Sequence, residues 1–155
     1  MKNALLMVLA FVVFSSCSND KKSESISVDT PEQNEADIVA YIAANDLDAI
    51  RSESGLYYVI DELGEGTQPN ASSDVTVAYK GYFLDGSVFD QSDASGLTFP
   101  LSGVIAGWTE GIAYFKEGGS GMLLIPAQLG YGTSGRGSIP GGSVLLFDIN
   151  LIEVK

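Results

Sequence analysis

The sequence predicts an α+β domain in which an antiparallel sheet carries one short helix on its concave face and an amphipathic helix precedes the whole. Three observations lead there. From Leu56 to the C-terminus, β-rich runs alternate with turn residues. Within that region only the stretch around Trp108 has room for a helix, and a short one. The 155 residues include 18 glycines, 7 tyrosines and 7 phenylalanines but no histidine, the balance of a turn-rich, strand-rich chain.

In chain order, Lys2 and then the apolar run from Ala4 to Phe14 end in Ser15-Ser16-Cys17. A membrane-spanning helix needs roughly 20 apolar residues, so this shorter basic-apolar-small order reads as an export signal, residues 1–16. A lone cysteine in that position resembles the lipobox of bacterial lipoproteins, although Phe14 stands where leucine is usual. The resemblance implies that Cys17 is lipidated, becomes the mature N-terminus and holds the protein on a membrane without spanning it. Ser18 directly after it leans towards the outer membrane, facing the periplasm or the cell surface. Residues 17–30 are polar with few apolar residues, a composition that reads as a flexible tether.

Residues 31–54 form an N-terminal helical extension. Thr30 suits the N-cap, Pro31 the first helical position, and Gln33 the capping-box partner reaching back to it. Ile38, Val39, Ile42 and Ala43 follow at helical spacing and Asn45 is a stop. The helix has two possible destinations, its own domain or a second copy.

The main domain spans residues 55–155. Leu56–Ile60 and Val75–Phe83 read as strands, the second turning at Asp85-Gly86 into Ser87–Asp90. Leu97–Leu101 is a short edge strand because of Pro100. A helix over Trp108–Phe115 is closed by Gly118-Gly119, and Gly121–Pro126 and Ser143–Ile152 complete the sheet.

The formal net charge of −12 argues against nucleic acid, whose phosphates need clustered Lys and Arg. With no histidine and one cysteine, imidazole-based nucleophilic catalysis and ordinary zinc sites are disfavoured. Gly130-Tyr131-Gly132-Thr133-Ser134-Gly135 fits a dinucleotide fingerprint, but Arg136–Gly142 cannot continue as the helix that motif must open, so it reads as a surface flap. Asp90 and Asp93 lack the spacing and closing glutamate of a calcium loop.

A different constellation remains: Val77-x-Tyr79-x-Gly81, Asp85-Gly86-x-x-Phe89-Asp90, Val104-Ile105-x-Gly107-Trp108-x-Glu110-Gly111, Tyr131-Gly132, Ile139-Pro140 and Leu145-x-Phe147-Asp148. In this order the motifs resemble the FKBP-type peptidyl-prolyl cis-trans isomerases over about residues 55–155. The resemblance implies a half-barrel sheet wrapped round the short helix, with Trp108 as the floor of a proline pocket. It implies Tyr79, Asp90, Trp108, Ile105 and Tyr131 as the catalytic set, Ile105 through its backbone N–H and Tyr131 through its hydroxyl. By the same likeness Phe89, Phe99, Val104, Ile139 and Phe147 line the substrate walls.

Physical chemistry supports such a site. Rotation about an X-Pro amide meets a barrier of about 20 kcal/mol, set by resonance in the planar form and helped by hydration of its carbonyl. A twisted amide has less charge separation, so a dry, ring-walled pocket favours it over the planar ground state. No metal or cofactor is called for. The expected partners are proline-containing polypeptides, with macrolides of the FK506/rapamycin type as inhibitors implied by the resemblance, and a membrane through lipidated Cys17. The rival reading is a lipoprotein that binds or scaffolds proline segments without turnover.

Overall fold

The computed structural model describes residues 30–155, so the expected signal peptide, Cys17 and the tether as far as residue 29 lie outside the described residues. Helix α1 spans Pro31–Ala44, with Thr30 as N-cap accepting the Gln33 N–H at 3.2 Å and Asn45 closing the last turn through two donors to the Tyr41 carbonyl. The capping box is only half made. The Gln33 side-chain amide donates instead to Asp37 Oδ1 at 2.8 Å, one turn further on, where an ionised acceptor is the stronger partner.

Seven strands follow: β1 Ile50–Arg51, β2 Tyr57–Glu62, β3 Asp74–Tyr82, β4 Val88–Gln91, β5 Leu97–Pro100, β6 Ser120–Ile125 and β7 Leu145–Val154. They form one antiparallel sheet in the order β1-β2-β6-β7-β3-β4, and β5 pairs with β3. Strand β3 is long enough to share one edge between two partners, β5 along Asp74–Val77 and β4 along Lys80–Tyr82. Pro100 stands at the end of β5, where its missing N–H costs the ladder least. Strand β1 is absent from the sequence reading, because two exposed residues carry no alternation to read.

Helix α2 spans Ala106–Gly111 and continues as a 3-10 turn over Ile112–Tyr114. It starts two residues ahead of the predicted Trp108. The Ile105 carbonyl already accepts the Trp108 and Thr109 N–H groups, and the Thr109 hydroxyl donates to Leu101 O at 2.6 Å, fixing the entry. Gly107 and Gly111 face β6: a Cβ on them would stand 2.5 Å from Ile125 Cγ2 and 2.7 Å from Leu123 Cδ2. Two glycines four apart therefore let the helix settle close to the sheet.

The two faces of the sheet are sorted by strand alternation. Along β7, Leu145, Phe147, Ile149 and Leu151 join α2 in the concave core with Leu56, Ile112, Phe115 and Leu123, while Leu146 turns to the opposite face. There α1 docks on its own domain, answering the question its sequence left open. Ile38 is fully buried in a second cluster with Tyr57, Tyr82, Leu124 and Leu146. Polar contacts secure the same helix: Arg51 Nε lies 2.9 Å from Glu35 Oε1, and the Tyr57 hydroxyl donates to that oxygen at 2.6 Å.

Candidate functional site

At the open end of the concave face is a cleft of about 630 Å³, a size suited to a small ligand or a short peptide turn. All ten residues singled out for the catalytic set and the substrate walls line it: Tyr79 from β3, Phe89 and Asp90 from β4, Phe99 from β5, Val104 and Ile105 before α2, Trp108 within it, Tyr131 and Ile139 from the flap, and Phe147 from β7.

Trp108 is 5 % exposed and nevertheless lines the cleft, so the indole is a floor reached from above. Other rings stand on edge around it. Tyr79 meets it at 5.0 Å between centroids and 87°, Phe147 at 5.1 Å and 83°, and Phe99 tilts against it at 5.2 Å. Edge-to-face pairs of this kind direct ring hydrogens into a neighbouring π face, holding each ring's orientation. The indole Nε1 is buried with no hydrogen-bond partner among the described residues. An unpaired buried donor costs about 1–3 kcal/mol, and the fold sets the ring there in spite of it.

A backbone irregularity explains how Phe89 and Asp90, neighbours in sequence, both reach the cleft. Gly81 pairs with Asp90 and the next residue, Tyr82, pairs with Val88, leaving Phe89 as the extra residue of a bulge. Regular alternation sends adjacent side chains to opposite faces, and a bulge suspends it. Phe89 is half-buried and packs on Phe147 at 5.5 Å, whereas Asp90 is exposed, so the carboxylate belongs to the rim rather than to a buried site. Gly81 makes the space. A Cβ there would come within 2.6 Å of Phe89 and 2.8 Å of Phe147.

The Tyr79 hydroxyl donates to Asp90 Oδ2 at 2.8 Å. Burial, then the Asp90 carboxylate, push its pKa up to about 12, so it remains a neutral donor across the whole neutral range. The Tyr131 hydroxyl and the Ile105 N–H make no hydrogen bond to another group among the described residues, so both donors are free for a ligand carbonyl. Arg136 Cζ stands 5.7 Å from the centre of the Tyr131 ring.

Sequence reasoning missed Leu97, Gly103, Arg136, Gly137 and Ser138 on the lining. Leu97 was legible, since it alternates with Phe99 along β5 and so shares its face. Arg136 sat in a glycine-rich segment with no period to place it. Asp93 serves its own turn, accepting from the Ser95 N–H and hydroxyl. Among the described residues no group of three or more His, Cys, Asp or Glu side chains is placed to hold a metal ion.

The family model for FKBP-type peptidyl-prolyl cis-trans isomerases matches residues 65–152. The chain is 47 % identical over 106 residues to the FKBP-type peptidyl-prolyl cis-trans isomerase FkpA of Escherichia coli strain K12, a match covering 67 % of this chain and 39 % of that protein. It is 48 % identical over 104 residues to the probable FkpA of Neisseria meningitidis serogroup B, covering 65 % and 38 %. Among solved structures, FkpA from Escherichia coli superposes with a TM-score of 0.73 at 41 % identity, covering 80 % of this chain and 60 % of that one. A peptidyl-prolyl cis-trans isomerase from Pseudomonas syringae does so at 0.70 and 31 %, covering 82 % and 98 %. The chain spans 39 % or less of the length of these two curated relatives.

Proposed function

Given that the chain belongs to the FKBP-type peptidyl-prolyl cis-trans isomerase family, we propose that it is an isomerase that speeds rotation about X-Pro bonds in exported polypeptides. The observation that carries this reading is the dry floor and walls of the cleft: one indole, five further rings and four aliphatic side chains, with only Asp90 and Arg136 charged on its lining.

The prolyl ring lies on Trp108 between the edges of Tyr79, Phe99 and Phe147. Water is excluded there, so the planar amide loses the hydration that favours its polar resonance form, while the twisted amide loses less. The Ile105 N–H and the Tyr131 hydroxyl hold the flanking carbonyls, and Asp90 keeps Tyr79 in place by accepting its proton in a hydrogen bond. No proton or covalent bond is exchanged with the substrate. Macrolides of the FK506/rapamycin type would compete for the same floor.

The lipobox-like Cys17 supports a lipid-anchored protein of the cell envelope, its domain held off the membrane by the tether. Metabolic labelling with radioactive fatty acid tests this. Label on the parent and none on Cys17→Ala is expected, and an unlabelled parent rejects the anchor. For the activity, isomerisation of a proline tetrapeptide by the full chain is the direct test. Tight peptide binding with no change in the rate of isomerisation would instead favour the binding or scaffold reading.

A further inference from the structure

Asn34 is 1 % exposed on the buried side of α1, one turn before Ile38. A carboxamide so placed is costly unless both its ends are met, and an aliphatic residue would fill the position without that demand. Both ends are met by one segment, the flap of residues 127–142 that carries Tyr131 and Ile139. The Asn34 Nδ2 donates to Gly142 O at 2.9 Å, and Oδ1 accepts from the Ala127 N–H at 2.7 Å. Within the flap the Gly142 N–H donates to Gly132 O at 2.9 Å and the Gly132 N–H to Ala127 O at 2.7 Å. The four bonds form a closed circuit, running in one sense from Asn34 through Gly142, Gly132 and Ala127 back to Asn34. Gly132 is the residue directly after Tyr131.

We infer that the cleft depends on one residue of α1: Asn34 is a positioning residue that fixes both ends of the flap and, through Gly132, the place of the Tyr131 hydroxyl. The flap needs such an anchor. It contains Gly130, Gly132, Gly135, Gly137, Gly141 and Gly142, and each glycine leaves the backbone more freedom to lose. Through its two bonds inside the flap, Gly132 is tied to both of the ends that Asn34 holds. The inference rests on the reading of the cleft as a prolyl site, but the clamp itself can be measured without it.

The test compares the full chain with its Asn34→Ala and Ile38→Ala variants at a temperature where all are folded. Ile38→Ala removes apolar packing beneath α1 and leaves all four residues of the circuit unchanged. Asn34→Ala is expected to lower kcat/KM for a proline tetrapeptide about five- to tenfold. It should also speed amide exchange at Gly132 and Gly142 by about tenfold or more. Ile38→Ala should lower the melting temperature at least as far while changing kcat/KM by less than about twofold. The near-isosteric Asn34→Leu fills the same space and lacks both the donor to Gly142 and the acceptor for Ala127. It should match Asn34→Ala in kcat/KM and in amide exchange, and it serves if the alanine variant does not fold. Losses of kcat/KM that track lost stability equally in both positions overturn the inference, as does an Asn34 variant as fast as the parent. A parent without isomerase activity removes the prolyl reading alone. Amide exchange then decides the clamp, and unchanged rates at Gly132 and Gly142 overturn it.

Discussion

The two faces of the sheet are built from the same strands and do opposite things with them. Leu146 and Phe147 are consecutive on β7, yet one seals the α1 side and the other helps wall the cleft. On the α1 side an entire helix covers the sheet, and aliphatic packing around Ile38 is reinforced by Arg51, Glu35 and Tyr57. On the α2 side the helix has six residues, too short to cover the face, and the remaining apolar surface is rings around an opening. A core and a binding cleft can therefore be built on opposite faces of one strand. What separates them is whether the covering element reaches the end of the sheet.

Mutations at matched positions should pull the faces apart, and the largest effect belongs to the floor. Trp108→Ala is expected to cost about 3–5 kcal/mol of stability as a large core truncation. It should also reduce kcat/KM by about 30-fold or more, as the loss of a contact worth about 2 kcal/mol to the prolyl ring requires. Denaturant melts together with a peptide isomerisation assay measure both, and a stable Trp108→Ala protein as fast as the parent would make the concave face a mere core.

Ile38→Ala, on the other face, should cost about 2–5 kcal/mol with kcat/KM nearly unchanged, by the same pair of measurements. Next comes Asp90→Val, which strands the Tyr79 hydroxyl. A loss of about five- to tenfold in kcat/KM, with about 1 kcal/mol of stability, is expected, and parental kinetics would remove Asp90 from the site. Glu35→Gln should be smallest, under about 1 kcal/mol, because its partner Arg51 is exposed and solvent screens the pair.

Acid and base should also act on different faces. Hydrogen bonds from Arg51 and then Tyr57 hold the Glu35 carboxyl below its ordinary value of 4.5. The stability it contributes is present above that pH and is lost as the pH falls through the lower folded value, so acid should loosen α1 in the parent and less in Glu35→Gln. Melting temperatures of the two proteins across that range provide the comparison. Tyr79 behaves inversely. Its contribution is complete below its unfolded value of 10.0 and lost as the pH rises through about 12, so isomerisation should be flat with pH across neutrality.

Much of this was legible in the sequence, and unevenly so. Every strand with a period-two pattern was found, as was the N-cap of α1, because those signals are local. Nine of the ten cleft residues converge because the motifs that carry them fix strand, bulge and flap together, and Phe99 joins them from edge strand β5. Strand β1 escaped because pairing made it a strand, not its own two residues. Asn34 escaped for a stronger reason: its partners are 93 and 108 residues away, and a polar residue in a helix normally signals a solvent-facing position. Leu97 lay within reach of alternation along β5. The destination of α1 depended on the shape of the face it covers, which no window along the helix contains.

The extra residue in β4 implies that this site is specified by length as well as by side-chain identity. Deleting Val88, beside the bulged Phe89, would restore strict alternation and turn either the ring or the carboxylate outward, even though every other amino acid stayed the same. Swapping residue types along β4 samples chemistry, whereas adding or subtracting a unit resets its phase. A library that varies the number of residues there would reshape the mouth in steps that point substitutions cannot make.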